Sequence, residues 1–310
     1  MFIESAAKPE EQWPSAGKIE FRNFSMTYRE GLELVLKDVN LTINPGEKIG
    51  IVGRTGAGKT SLTRALFRLI DSKTCSGSIV VDDQDIFSLN IGDLRPKIGI
   101  IPQEPTMFES IFRQNLDPLV QYSIEDMWSA IIKCGIVENI EPKDARDYNY
   151  HIDMKTLEDI EEWNEDWEKA NWSKRLFLLL FITKPRLEKP VTGWVRPHGL
   201  DRHAGNSFSD GQQQIFGLCR LLMRNRKIVV LDEATANVDL ETDQKMQELI
   251  RSEFKDCTVL TIAHRLETIM NSDRIIVMDN GRIAEIGSPS ELLEKNGHFA
   301  ELVKANDFGE

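Results

Sequence analysis

Lys48-Ile49-Gly50-Ile51-Val52-Gly53-Arg54-Thr55-Gly56-Ala57-Gly58-Lys59-Thr60 is the stretch that decides the fold. A short apolar run meets a turn of the form G-x-x-x-x-G-K-T, and a helical stretch, Thr60 to Ile70, follows. The spacing has a chemical reason. Backbone N–H groups that point inward hold a triphosphate, and glycines let the chain come close to it. A helix starting at the turn aims the positive end of its dipole at the phosphates. The expected binding set is Gly53, Arg54, Thr55, Gly56, Ala57, Gly58, Lys59, Thr60 and Ser61. Within it, Lys59 is expected to reach the β- and γ-phosphates and the Thr60 hydroxyl to ligate Mg²⁺.

Working outward, a second apolar run ends in acid: Ile228-Val229-Val230-Leu231-Asp232-Glu233. Asp232 at the end of a strand can hold Mg²⁺, directly or through water. Glu233 beside it is placed to orient or deprotonate a water for attack on the γ-phosphate. Two acids after a strand are also an ordinary solvated strand end, so this motif gains its meaning from the phosphate loop. Ile228–Leu231 and Thr258–Ile262 are unbroken apolar runs, which suit strands covered on both faces of a parallel sheet. Further β-type runs lie at Ile19–Phe24, Leu34–Ile43, Ile79–Val81 and Ile98–Ile101. Ile275–Met278 and Ile283–Ile286 flank Asp279-Asn280-Gly281, a hairpin signal. Ser288-Pro289-Ser290-Glu291 has capping-box spacing with proline at the first helical position.

With 310 residues the chain has room for one large domain or two ordinary ones. Its 38 basic and 50 acidic side chains give a net charge of −12, which argues against a nucleic-acid-binding body. Hydrophobic residues at 41% and charged residues at 28% are values of a soluble globular chain. The longest apolar run, Leu176 to Ile182, falls well short of the roughly 18–20 residues of a membrane span. The N-terminus has no secretory signal pattern. Cys75, Cys134, Cys219 and Cys257 form no C-x-x-C, which suits a reduced chain with buried thiols. Residues 1–16 are polar, contain Pro9 and Pro14, and read as a linker or tail before a domain over 17–310. From about Ile124 to Asn206 the chain is mostly helical in character, and acidic residues there crowd around Trp163 and Trp167. Those two tryptophans would share a helix face. Such a face either buries its aromatics or docks a partner.

Further motifs give the chain a resemblance. Asn206-Ser207-Phe208-Ser209-Asp210-Gly211-Gln212 resembles the signature motif L-S-G-G-Q of ATP-binding-cassette (ABC) proteins. Phe208 replaces the leucine and Asp210 the first glycine, while Ser209, Gly211 and Gln212 are kept. Gln103, in Ile101-Pro102-Gln103, is similar to the family's Q-loop, and Ala236-Asn237-Val238-Asp239 to its D-loop. His264, after Thr261-Ile262-Ala263, resembles the switch histidine, and Tyr28 the aromatic that stacks on adenine. A strand aromatic facing the core is the other reading of Tyr28. Trp13-Pro14-Ser15-Ala16-Gly17, Gly50-Ile51-Val52-Gly53-Arg54-Thr55-Gly56, Asn115-Leu116-Asp117-Pro118 and Ile262-Ala263-His264-Arg265-Leu266 are similar to the second, C-terminal cassette of subfamily C, the multidrug-resistance-associated type. Glu233 fits that assignment, since the first cassette of that subfamily often lacks this glutamate.

The resemblance implies an α/β fold: a phosphate-loop NTPase core with a mostly parallel sheet, an antiparallel β subdomain near the N-terminus, and a helical subdomain over about 104–225. It implies Glu233, His264 and Gln103 as catalytic residues, and Thr60, Gln103 and Asp232 as the Mg²⁺ ligands. Tyr28, the loop, Ser209, Gly211 and Gln212 would hold ATP, with Ser209 and Gly211 serving the nucleotide of an opposite cassette. The partners implied are a second nucleotide-binding domain and the transmembrane domains of a transporter, with no nucleic acid. The place implied is the cytoplasmic face of a membrane, this chain itself having no transmembrane segment. Hydrolysis of MgATP would then power transport. A regulatory or remnant cassette and a soluble non-transport ABC ATPase are the alternatives. Two departures stand out. The stretch between Gln103 and Ser209 is longer than the family's, with an insert at about 144–202, as an in-frame retained intron or a gene-model error would also make it, and membrane domains are absent, as in a fragment or a free-standing cassette.

Overall fold

The computed structural model describes residues 8–103, 105, 107, 115–119, 121–135, 209–234, 238–263 and 265–307. In chain order the main elements are β1 (Ile19–Met26), β2 (Leu36–Ile43), β3 (Lys48–Val52), α1 (Lys59–Leu66), β4 (Cys75–Val81), β5 (Gln84–Asp85), α2 (Ile91–Leu94), β6 (Ile98–Ile101), α3 (Ile124–Lys133), α4 (Asp210–Arg224), β7 (Ile228–Asp232), α5 (Leu240–Glu253), β8 (Thr258–Ile262), α6 (Leu266–Ile269), β9 (Arg274–Asp279), β10 (Arg282–Gly287), α7 (Pro289–Glu294) and α8 (His298–Asp307). They fall into two compact units, Met1–Pro105 with Arg224–Glu310, and Thr106–Met223.

Two sheets build the first unit. One has four strands in the order β2-β1-β4-β5, all antiparallel. Alternation decides its buried face: Ile19, Phe21, Phe24 and Met26 of β1 are buried. The spacing slips by one between Phe21 and Phe24, where the register with β2 shifts and Asn23 takes a φ of 47°. Within the expected tail, Trp13 is buried and its Nε1 donates to Val81 O at 2.9 Å. The Asp82 carboxylate accepts from the amides of Ala16, Gly17 and Lys18, at 2.7 to 2.9 Å. Trp13 and the segment Ala16–Lys18 are therefore anchored to the sheet and its core.

The other sheet has six strands in the order β10-β9-β3-β8-β7-β6. Every pairing from β9 to β6 is parallel, and only β10 runs antiparallel, returning from β9 through the Asn280-Gly281 turn. Both turn residues have positive φ, 47° and 80°, as a two-residue hairpin turn of this hand requires. Ile228 to Leu231 of β7 are all buried, as a strand covered on both faces should be. Leu62, Ala65 and Leu66 of α1 belong to the main core. This helix ends at Leu66, short of the expected Ile70: Arg68 turns to a φ of 48° and is buried, its Nη1 donating to Ile86 O at 3.0 Å.

An ion pair ties β9 to the loop before β3. Arg274 Nη2 donates to Glu47 Oε2 and to Thr42 O, both at 2.8 Å. Burial pushes the Glu47 carboxyl up, but hydrogen bonds from Arg274 and from the Asn44 amide outweigh it and hold the group below its ordinary value. A lowered carboxylate contributes stability above its unfolded-state pKa and loses it as pH falls through the folded-state value. Arg274→Ala should thus cost about 1.5–3 kcal/mol at neutral pH, the usual cost of removing a charge-assisted hydrogen bond. Urea unfolding checks this, and the gap to wild type should close at acid pH. An unchanged midpoint at pH 7 would contradict it.

In the second unit, a capping box between Ser123 and Asp126 starts α3. Just before it, the buried Asp117 carboxylate accepts from the amides of Gln121 and Tyr122 at 2.6 and 2.8 Å. Arg220 Nε of α4 donates to Asn115 O at 2.7 Å, so the Asn115-Leu116-Asp117 segment is held by α4. Among the described residues no helix is long and apolar enough to cross a membrane. The stretch at 144–202, with Trp163 and Trp167, lies outside the described residues.

Candidate nucleotide-binding site

Parallel pairing brings the carboxyl ends of β3, β8, β7 and β6 side by side. Ile51 is in register with Ile262, Asp232 with Ile262, and Ile101 with Leu231. The chain leaves these four ends as the loop Gly53–Gly58, as Ala263, as Asp232-Glu233 and as Pro102-Gln103. In open α/β sheets this edge is where ligands bind.

The loop is shaped by what surrounds it. Gly53 has a φ of 150°, and a Cβ there would lie 2.3 Å from Met278 O of β9, so no other residue fits. Lys59 is buried, its Nζ donating to Gly53 O at 2.8 Å and to Arg54 O at 3.4 Å. Arg54, Thr55 and Gly56 are exposed, Ala57 and Gly58 buried. No side chain caps the start of α1, and its first turn has no acid. A helix start left open in this way, with a lysine beside it, favours an anion.

Charge at the site is divided. Burial pushes the Lys59 ammonium down, against the pull of Glu233 and Asp232. Burial, then the neighbouring Glu233, push the Asp232 carboxyl up, while Arg64 and Lys59 act the other way. Two adjacent acids in a half-buried site favour a cation between them and a phosphate. Thr60, Asp232 and Gln103 each carry a side-chain oxygen, the ligand atom that a hard cation such as Mg²⁺ takes. The residues present therefore fit MgATP.

Glu233 has a φ of 54°, uncommon for a residue with a side chain, and its amide donates to Ile262 O at 3.0 Å. Strain at such a position costs about 1–3 kcal/mol and is found where function needs a fixed direction. The backbone bond to β8 holds the glutamate at the strand end. Gln103 is exposed just past β6. Tyr28 follows β1, is 40% exposed and shares a hydrogen bond of 2.8 Å between its Oη and Ser61 Oγ. Its ring is not in the core. His264 lies outside the described residues, next to Ala263, whose amide donates to Ile51 O at 3.3 Å.

In the second unit, Ser209 and Gln212 cap α4 reciprocally. The Ser209 amide donates to Gln212 Oε1 at 2.9 Å, and the Gln212 amide to Ser209 Oγ at 3.3 Å. The serine and glutamine of the signature spacing thus form a capping box. Gly211, between them, is buried.

One bracing element was legible in the sequence only as a turn. The Gly281 amide of the β9–β10 hairpin donates to Ala57 O at 3.0 Å, and Gly281 O accepts from the Lys37 amide at 2.8 Å. A Cβ at Gly281 would lie 2.2 Å from Val35 O. The hairpin tip thus locks the phosphate loop to the edge of the antiparallel sheet. Asn-Gly announces the hairpin, but nothing local says what its tip touches.

The chain is similar to known proteins. Residues 36–236 match the family described as ABC transporter. Rat ATP-binding cassette sub-family C member 2 is 40% identical over 297 residues, 96% of this chain and 16% of that protein. The metal resistance protein YCF1 of Saccharomyces cerevisiae is 42% identical over 294 residues, 95% of this chain and 16% of that protein. Mouse ATP-binding cassette sub-family C member 3 is 40% identical over 305 residues, 97% and 16%. The chain spans about a sixth of the length of these relatives. Among solved structures, a bacterial Atm1-family ABC exporter with ATP bound superposes with a TM-score of 0.72 at 25% identity, over 99% of this chain and 44% of that one. With the family matched across the loop, the second acidic strand and the segment between them, the chain belongs to the ABC transporter family, as an ATP-binding domain similar to those of subfamily C exporters.

Proposed function

We propose that this domain binds and hydrolyses MgATP as the ATPase part of a subfamily C exporter, in the position of its second cassette. The observation that carries this is the alignment of Gly53–Thr60, Asp232-Glu233 and Gln103 on adjacent strand ends, with Lys59 under the electrostatic pull of both acids. Loop amides and Lys59 hold the β- and γ-phosphates, and Tyr28 stacks on adenine. Thr60, Asp232 and Gln103 would hold Mg²⁺, which when bound would offset charge on the phosphates. Glu233 takes a proton from the water that attacks the γ-phosphorus. The bond to the bridging oxygen breaks, and ADP leaves with that electron pair. His264 serves the same γ-phosphate, a role that rests on its motif alone.

Hydrolysis needs a second nucleotide-binding domain in this reading. Ser209, with its lone pair engaged by the Gln212 amide, keeps its hydroxyl hydrogen to donate to the γ-phosphate of an opposite cassette, with Gly211 and Gln212 beside it. Closure of the pair works on transmembrane domains, which sets the chain at the cytoplasmic face of a membrane.

Phosphate release at saturating MgATP, with and without a second cassette, tests the reading. Turnover that rises with the second cassette supports it. ATP binding without turnover in either case would favour a regulatory or remnant cassette. A narrower test is Tyr28→Ala, which should weaken ATP binding by about 1–3 kcal/mol, the worth of one base–aromatic stack, while Tyr28→Phe keeps the stack. Equal ATP affinity for the Ala variant would remove Tyr28 from the site.

A further inference from the structure

Arg64 lies on α1 four residues after Thr60, so the two share a helix face. Its side chain is turned to Tyr28. Nη1 donates to Tyr28 Oη at 3.3 Å, and the guanidinium carbon lies over the Tyr28 ring, 5.7 Å from its centroid. The same phenol oxygen meets Ser61 Oγ at 2.8 Å. Tyr28 itself sits beyond the last residue of β1, in a turn rather than a strand. Two side chains of α1 hold the ring, Ser61 at the hydroxyl and Arg64 at the hydroxyl and over the ring.

We propose that Arg64 is a positioning residue for base recognition: by its hydrogen bond and its cation–π contact it holds the Tyr28 ring with one face covered and the other turned to the adenine. The proposal rests on the reading of Tyr28 as the stacking residue. It ties base recognition to the helix that carries Lys59 and Thr60, so that a nucleotide with a stacked base meets a prealigned phosphate loop. A flexible ring must be ordered when the base binds, and a ring already held avoids that cost. An exposed cation–π contact and one hydrogen bond are together worth a factor of about 5–70, of which about 3–10 is expected to reach ATP affinity through the ordering of the ring.

The experiment compares ATP with magnesium tripolyphosphate, which carries the phosphates and no base. Affinities are measured for wild type, Arg64→Ala, Arg64→Lys, Tyr28→Ala and the Arg64→Ala/Tyr28→Ala double variant, with circular dichroism to confirm folding. Arg64→Ala is expected to weaken ATP by about 3- to 10-fold and magnesium tripolyphosphate by clearly less, the remainder reflecting the Arg64 charge near Asp232. Arg64→Lys should fall between, because a lysine keeps the charge but not the planar fork. In the Tyr28→Ala background, loss of Arg64 should cost nothing further. Equal losses for ATP and tripolyphosphate would overturn the proposal, since Arg64 would then act on the phosphates. So would full additivity with Tyr28→Ala, or unchanged ATP affinity in Arg64→Ala. Should Tyr28→Ala alone leave ATP affinity unchanged, the stacking assignment itself falls. If Tyr28→Ala weakens ATP and Arg64→Ala does not, only the positioning role falls.

Discussion

Glu233→Gln is expected to bind ATP at least as tightly as wild type and to release phosphate about 10²- to 10⁴-fold more slowly, or roughly 3–5.5 kcal/mol of barrier. The glutamate stands at the end of a buried strand, and its amide is fixed to Ile262 O. Its positive φ is retained by glutamine, so the substitution changes charge and basicity without relaxing the backbone. Lys59, Thr60 and the loop amides are untouched, and one negative charge near the triphosphate is gone. Beside a competent second cassette the variant should accumulate as an ATP-bound closed dimer. Near-normal turnover would take Glu233 out of the mechanism.

Lys59→Ala should weaken ATP binding by about 10- to 100-fold, in line with the loss of a charge-assisted hydrogen bond to phosphate in a half-buried site. The Lys59 ammonium is held by the carbonyls of Gly53 and Arg54, close to where the phosphates would lie. The alanine variant loses the cation that balances Asp232 and Glu233, so the two acids then face the phosphates unopposed. Titration at matched Mg²⁺ measures the effect, and unchanged affinity would sink the phosphate-loop assignment.

What was legible in the sequence followed from short-range chemistry. The loop Gly53–Thr60 carries its meaning in its own spacing, and the apolar runs at Ile228 and Thr258 carried their burial in their composition. Hairpin and capping box at Asn280-Gly281 and Ser288 were local signals too, and both are present. Long-range placement was not legible. That Gly53 packs on Met278 O, or that Gly281 bonds Ala57 O, depends on strands more than two hundred residues apart. Trp13 gave no sign of burial amid polar and proline residues, because its partner is the Val81 carbonyl. Arg64 carried no motif, and its contact with Tyr28 arises only once β1 and α1 are folded together. His264 and the segment at 144–202 lie outside the described residues, so those expectations stand on the sequence alone.

Phosphate release at saturating MgATP, measured for wild type and Glu233→Gln with and without a second cassette, tests the central claim most directly. Both proteins are expected to bind ATP, and wild type beside the second cassette to turn over at least about a hundredfold faster. Wild type turning over no faster than Glu233→Gln in that setting would contradict it.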